Sequence, residues 1–406
     1  MITAIVNGNI LDTTSMTVVG EGDLVVENGQ FVQVGGRHSG KADTTVDARG
    51  AFVMPGLIDG HVHFRLATMN FARLERWTEV EFGIVMAGLA ADTVHRGFTT
   101  VRDLGGDVSG LVRAIADGRT HGPRIVRAGL MLSQTGGHGD TRGGALDAPS
   151  CACAMPNTIF GLVADGPDAV RKGARHILRD GSDFLKVHVS GGVASPSDPV
   201  DAIQYTHDEI RAAVVEAEHR HTYVAAHAYS AESITMAAHA GVKSFEHANN
   251  IDHVAAELLA EKDATMVPTL VTYLAMDEMG EKLGLPEQNR RKNKVILESG
   301  LRSVEIALQA GVALGFGTDL IGETQQMQNR ELAIRGSIQP AAEVLRSMWI
   351  ENARLCRLEG RIGVLTEGAV GDVVVSNVNP LDDLTRFADH QNSITHVVQG
   401  GRVVRG

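Results

Sequence analysis

The first chemical signal in the chain is His61 and His63, in Asp59-Gly60-His61-Val62-His63. Residues i and i+2 of a strand face the same side, so both imidazoles can reach one point, as a pair of metal ligands must. Four further groups follow at or near the ends of short apolar runs. They are Lys186 in Asp183-Phe184-Leu185-Lys186-Val187-His188, His227 in Ala225-Ala226-His227-Ala228-Tyr229, His247 in Phe245-Glu246-His247, and Asp319 in Gly317-Thr318-Asp319. Any one of them alone reads as a packed or surface residue. Six of suitable type, spread over five predicted strands, read as a metal-dependent catalytic centre. The composition agrees, with 17 histidines beside 4 tyrosines and 2 tryptophans. Histidine binds metals or moves protons.

Such groups need elements to position them. Eight strand candidates cover 60–64, 99–103, 124–131, 184–189, 223–227, 244–247, 266–271 and 314–319. Stretches with helical spacing lie between them, at 206–220, 231–240 and 293–310, the last two stopping before a glycine. Eight β/α repeats predict an α/β fold with a (β/α)8 TIM-like barrel over residues 57–359, whose active site lies at the C-terminal ends of the strands. Both chain ends read differently. Strands are expected at 2–11, 24–27 and 30–34, split by turns at Asn7-Gly8 and Asn28-Gly29, and again at 373–375 and 395–398 before a Gly400-Gly401 hairpin turn. Neither end can build a core alone, so residues 1–56 and 360–406 are expected to form one small β-sandwich.

Composition excludes other classes. The 406 residues carry 37 basic and 49 acidic side chains, a net charge of −12, which argues against nucleic-acid or anionic-membrane partners. Three cysteines, Cys151, Cys153 and Cys356, are too few for a disulfide framework and suit a reducing cytosol. Met1-Ile2-Thr3-Ala4-Ile5-Val6 shows no signal-peptide pattern, no apolar run reaches membrane-spanning length, and a cytoplasmic location is expected. A His-Glu-x-x-His helix, a Walker loop and a Gly-x-Ser-x-Gly elbow are all missing from the sequence.

The segment Pro55-Gly56-Leu57-Ile58-Asp59-Gly60-His61-Val62-His63 resembles the signature of the amidohydrolase superfamily of metal-dependent hydrolases, and the split sandwich extends the resemblance over essentially the whole chain. Gly136-Gly137-His138-Gly139-Asp140, Ser190-Gly191-Gly192-Val193-Ala194-Ser195-Pro196, Ala226-His227-Ala228-Tyr229 and Val267-Pro268-Thr269-Leu270 are similar to segments of bacterial Xaa-Pro dipeptidases and, more distantly, imidazolonepropionase. The resemblance implies two divalent metal ions and a Lys186 carboxylated by CO2 that bridges them. His61, His63, Lys186 and Asp319 would hold one ion, and Lys186, His227 and His247 the other. Zinc is the expected metal, given histidine and carboxylate ligands without thiolate. One departure is Ala248, in His247-Ala248-Asn249, where glycine is expected.

The implied activity is hydrolysis of a dipeptide (Xaa-Pro-like) or N-acyl amino acid by a metal-bridged hydroxide. Asp319 would take the water proton and deliver it to the leaving nitrogen. Tyr229 is the candidate oxyanion donor, its alternative being a packing tyrosine. His138 is assigned to the substrate carbonyl or carboxylate, the alternative being a pair with Asp140. His188 is a possible partner of the metal ligands, His253 a candidate for substrate recognition against an exposed helix start, and Arg65 a candidate for a substrate carboxylate against a structural role at the barrel mouth. Alternative readings are hydrolysis of a xenobiotic amide such as ochratoxin, a cyclic amide or a lactone, and a non-catalytic scaffold. A homo-oligomer is expected from the resemblance.

Overall fold

The computed structural model describes residues 1–74, 76–140, 160–195 and 198–406. Both chain ends enter one eight-stranded sheet. Its order runs Arg402–Arg405, Ile394–Gln399, Val373–Ser376, Phe52–Pro55, Ile2–Asp12, Thr17–Glu27 and Gln30–Val34, with Thr44–Asp47 also paired to Ile2–Asp12. Residues from both ends, among them Ile5, Val26, Phe31, Val373 and Val398, share one apolar core. The hairpin at Asn28-Gly29 forms, with φ of 51° and 84° as a type I′ turn requires. The expected turn at Asn7-Gly8 does not form. Strand Ile2–Asp12 runs through it, with Asn7 at φ 58° in a register shift between Ile5 and Gly8. An Asn-Gly pair suits the left-handed backbone of a bulge as well as that of a turn.

The middle of the chain alternates parallel strands and helices. One parallel sheet has the order Gly161–Val163, Met131–Ser133, Leu185–His188, Val224–Ser230, Ser244–Asn250, Thr265–Val267, Ala313–Leu314, and a second pairs Leu57–Val62, Phe98–Asp103 and Arg124–Arg127. Backbone bonds link them at both edges, from Gly60 N to Phe316 O (2.7 Å) and from Asp183 N to Arg127 O (2.8 Å). A single residue, Gly56, separates the shared-end sheet from the first parallel strand. A Cβ there would stand 2.0 Å from Thr99 Oγ1, so only glycine passes.

Three expected strands change. The third splits at Gly129 (φ 71°), its halves joining different sheets. The seventh stops at Val267, because Pro268 cannot donate to a ladder and helix Leu270–Leu283 starts two residues on. The eighth keeps only Ala313–Leu314, leaving Asp319 beyond the regular strand.

Helix His207–His219 starts on a Thr206–Glu209 capping box, and Ala231–Ala240 ends on Gly241 at φ 102°. The third expected helix starts earlier, as Glu287–Gln309, because its first two turns are polar and carry no apolar period. Among the described residues no helix is long and apolar enough to cross a membrane. Cys356 is buried and unpaired, and Cys151 and Cys153 lie outside the described residues.

Candidate active site

Parallel register brings the histidine-bearing strand ends to one level, pairing His188 with His227 and Ala228 with His247. Across the site, Asp319 Oδ1 lies 3.3 Å from His61 Nε2 and 3.4 Å from His63 Nε2, and the two nitrogens are 3.2 Å apart. His247 Nδ1 is 3.9 Å from Asp319 Oδ2, and its ring stands 5.0 Å from that of His61 and 4.7 Å from that of His227. Ligand atoms of His61, His247 and Asp319 lie within 4.8 Å of one another. Two imidazole nitrogens facing one carboxylate oxygen at these separations are a donor set that suits a divalent cation.

Buried carboxylates fix these ligands. Asp59 accepts from His61 N (3.0 Å), Thr318 N (3.1 Å), Thr318 Oγ1 (2.6 Å) and Gln328 Nε2 (2.8 Å), which ties the first strand to the residue before Asp319. Asp319 itself sits at φ 51° with its N–H on His61 O (2.8 Å). Glu246 Oε2 meets His61 Nδ1 at 2.9 Å, while Oε1 accepts from Arg102 Nη2 (2.7 Å) and Ser244 Oγ (2.6 Å). That bond places the His61 proton on Nδ1 and leaves Nε2 free to ligate. Glu246 and His247 are neighbours, yet both reach the site, because His247 (φ 70°) and Ala248 (φ 53°) break the strand alternation. The left-handed backbone at Ala248 also accounts for the expectation of glycine there.

Charge follows geometry. Burial works against the Asp319 and Glu246 carboxylates. The His61, His247 and His63 imidazoles outweigh it for Asp319, and Arg102 and His61 for Glu246, so both lie below the usual carboxylate range. Burial also opposes a proton on His61, but Asp319 and Glu246 raise it on balance. Burial pushes His63 down to about 3 and takes His188, His227 and His247 well below the ordinary imidazole value. Burial brings the Lys186 ammonium down to about 8 against the pull of Glu246 and Asp319.

Beside this cluster lies a second one, built on loops. The His138 ring stacks on His227 at 4.3 Å, its Nδ1 is 2.8 Å from Ser195 Oγ and 3.7 Å from Asp198 Oδ2, and the His138 backbone N–H donates to Gln204 Oε1 (2.9 Å). Its carboxylate neighbour is therefore Asp198; Asp140 instead accepts from Gly136 N (2.9 Å). A Cβ on Gly192 would stand 2.0 Å from His138 Cε1, so glycine is needed there. Helix Glu287–Gln309 clamps this loop. Asn289 Nδ2 donates to the carbonyls of Val193 (2.7 Å) and Ala194 (2.9 Å), and Lys292 Nζ to those of Gly192 (3.1 Å), Ser195 (2.9 Å) and Asp198 (2.5 Å). Neither residue was singled out from sequence; polar residues at i and i+3 on a helix were the available signal. His227 Nε2 rests 3.1 Å from Gly191 O. His188 Nδ1 faces Leu132 O at 3.2 Å, its ring 5.3 Å from that of His138.

Both clusters line one cavity of about 270 Å³, together with Lys186, Tyr229 and an apolar wall that includes Leu66, Met131, Phe160, Met276 and Ile321. Two expected substrate contacts are corrected. Arg65 lies buried, with both Nη atoms on Glu79 (2.7 and 2.9 Å) and its guanidinium 3.8 Å from the Phe82 ring, so a bidentate partner already takes the fork. His253 is exposed at the first position of helix His253–Glu261, where the Asp252 cap turns it outward, and it does not line the cavity.

The model of the amidohydrolase family matches residues 52–404. The chain belongs to the amidohydrolase family. It is 30% identical over 367 residues to the ochratoxinase of Aspergillus niger, covering 87% of this chain and 76% of that one. A prolidase structure solved with N-methylphosphonate-L-proline superposes with a TM-score of 0.95 at 38% identity, each chain covered in full. A Xaa-Pro dipeptidase structure with bound methionine gives 0.87 at 28%, again over the whole of both chains.

Proposed function

We propose that this amidohydrolase cleaves a dipeptide of the Xaa-Pro type or an N-acyl amino acid at the amide before its C-terminal residue. The observation that carries the reading is the convergence of His61, His63, His247 and Asp319 on one wall of a 270 Å³ cavity that also holds Lys186, His227, His138 and Tyr229. Likeness to a prolidase and a Xaa-Pro dipeptidase over the full chain supports the substrate class. We read the two parallel sheets as arcs of one (β/α)8 barrel over 57–359, supported by the backbone bonds at both edges, and residues 1–56 and 360–406 as a sandwich domain.

The residues present fit two divalent ions, zinc for preference. His61, His63, Lys186 and Asp319 would hold one and Lys186, His227 and His247 the other. His247 stands between the two groups, and His227 would exchange its Gly191 contact for the ion. Lys186 can serve only as a carbamate: its neutral amine attacks CO2, a C–N bond forms and one proton is released. A pKa near 8 leaves a usable neutral fraction at physiological pH. When bound, the ions polarise the scissile carbonyl and acidify water. Asp319 carries a proton from the attacking water to the leaving nitrogen, Tyr229 donates to the developing oxyanion, and His138, held by Ser195 and Asp198, binds the substrate carbonyl or carboxylate. The same reading has the enzyme working in the cytosol as a homo-oligomer.

A second reading, hydrolysis of a bulky xenobiotic amide, is favoured by the ochratoxinase likeness and by the apolar wall of the cavity. Xaa-Pro, Xaa-Arg and Xaa-His dipeptides, N-acyl-phenylalanine and ochratoxin-type amides, assayed with the zinc-loaded protein, separate the two. Turnover of Xaa-Pro or N-acyl substrates is expected. Turnover confined to the xenobiotic amide would replace the first reading with the second. Well under one metal per chain and no activation by zinc would point to a scaffold.

A further inference from the structure

We infer that Gln204 is a positioning residue, whose side-chain amide sets His138 against Asp198 and so fixes the histidine that meets the substrate. The inference rests on the proposed function, in which His138 binds substrate. Gln204 Oε1 accepts from the backbone N–H of His138 (2.9 Å), and Gln204 Nε2 donates to Asp198 Oδ2 (2.9 Å). One amide thus joins the segment 134–140 to Asp198. Gln204 is 2% exposed, so solvent does not compete for either bond.

The partners dictate which way the amide points. A backbone N–H can only donate, and a carboxylate can only accept. A flipped amide would set Nε2 against the His138 N–H and Oε1 against Asp198, so Gln204 has a single orientation. Asp198 is held from other sides as well. Gly192 N donates to the same Oδ2 (3.1 Å), and Ser195 Oγ donates to Oδ1. Ser195 Oγ in turn lies 2.8 Å from His138 Nδ1. The contacts therefore close on themselves: His138 main chain, Gln204, Asp198, Ser195, His138 ring. One carboxylate fixes both the backbone and the imidazole of the same residue, so neither can move alone.

Backbone pairing puts Gln204 in reach. Gly191 N donates to Ala202 O (2.9 Å) and Gln204 N to Val189 O (2.9 Å), on either side of an antiparallel bridge between Ser190 and Ile203. The next residue, Tyr205, turns at φ 58°, and its N–H donates to Gln134 Oε1 (2.5 Å). The tie is thus reciprocal. The Gln134 side chain holds the backbone after Gln204, and the Gln204 side chain holds the backbone of His138. Gly137 fits the same reading, since a Cβ there would stand 2.8 Å from Gln204 Oε1 and 2.7 Å from Ser133 Oγ. The consequence is that His138 is in place before substrate arrives, its rotamer locked by groups that never touch the substrate.

Gln204→Leu removes both bonds. Gln204→Glu keeps the length and the acceptor for His138 N, but sets a second carboxylate against Asp198, which preserves the test if the leucine variant misfolds. In the full-length, metal-loaded protein each is expected to raise KM by about 10–100-fold and to leave kcat within about threefold, the pattern of lost uniform binding. Calorimetry supplies a readout besides turnover: affinity for an N-phosphonyl amino acid should fall by the same factor as KM rises, with metal content unchanged. A role confined to stability would lower the melting temperature and leave KM and mimic affinity where they were. In a His138→Ala background, adding Gln204→Leu should cost less than about twofold in kcat/KM, because contacts within one network are not additive. Wild-type KM and mimic affinity in a folded Gln204 variant, or losses that multiply with those of His138→Ala, would overturn the inference. Wild-type protein that hydrolyses no amide would instead overturn the proposed function.

Discussion

The two walls of the cavity are built in different ways. The His61–His63–Asp319 wall stands at or just beyond strand ends and is fixed from behind: Glu246 meets His61 Nδ1, Asp59 ties His61 N to Thr318, and His63 Nδ1 faces Gly105 O (3.3 Å). The His138 wall stands on loops at 134–140 and 190–195, fastened by side chains of helix Glu287–Gln309 about a hundred residues further along the chain. On the first wall, secondary structure supplies most of the precision and side chains finish it. On the second, side-chain clamps supply nearly all of it. A metal centre needs fixed ligands whatever the substrate, whereas a substrate wall placed on loops can vary while the centre stays the same.

The sharpest blow to the first wall is Asp319→Asn. On the proposed function it removes both a proton carrier and an anionic ligand, and turnover should fall by more than about 10³-fold. The fold should survive, since Asn retains the main-chain bond from residue 319 to His61 O. Steady-state kinetics with a melting curve checks both parts; activity within tenfold of wild type would remove Asp319 from proton transfer.

On the loop wall the corresponding change is Gly192→Ala. The added methyl would stand 2.0 Å from the His138 ring, which His227 backs at 4.3 Å. His138 must shift, and a displacement of about 1 Å at a positioning group costs on the order of 10² in kcat/KM. Metal content should not change, which separates this variant from Asp319→Asn. A loss of metal together with activity would mean that the two walls are not independent.

Glu246→Gln tests how far the first wall depends on its backing. Glutamine can still accept from His61 Nδ1, but it gives up the charge that faces Arg102. Loss of such a partner typically weakens metal affinity by 10–100-fold. Competition against a chromogenic chelator measures it, and an unchanged affinity would leave Glu246 with a purely structural role.

The contrast between the walls also explains what could be read from the sequence. His61 and His63 announce themselves because a strand has period two and no tertiary information is needed to put both on one side. His227, His247 and Asp319 gain meaning from strand-end placement, whereas Lys186, inside its strand, gains it from the family resemblance. Glu246 was not legible, although it is adjacent to His247, because strand alternation sends neighbours to opposite faces; the register sets Glu246 beside His227, and only the left-handed backbone at His247 lets both reach the site. Arg102, a cation near the end of the fully buried strand Phe98–Asp103, was the available sign of a buried partner. Ser195 and Asp198 were beyond sequence reasoning, and Asn289 and Lys292 offered only a polar i, i+3 pair, since their meeting depends on a loop path that no periodicity encodes. Element boundaries failed where one residue type serves two geometries, as at Asn7-Gly8.

The smallest effect expected is that of His253→Ala, and it tests the limits of the comparison. His253, a sequence candidate for substrate recognition, follows the strand Ser244–Asn250 by three residues. In the structure that distance is enough to leave the site: Asp252 accepts from Ala255 N (2.8 Å), the helix starts, and His253 points to solvent. An exposed side chain away from caps and networks contributes within about ±0.5 kcal/mol to stability. Both kcat and KM should therefore stay within about twofold of wild type on every substrate that is turned over. A selective rise in KM for long substrates would show that the substrate wall extends beyond the cavity onto helix His253–Glu261, and that the loops at 134–140 and 190–195 are only its inner part.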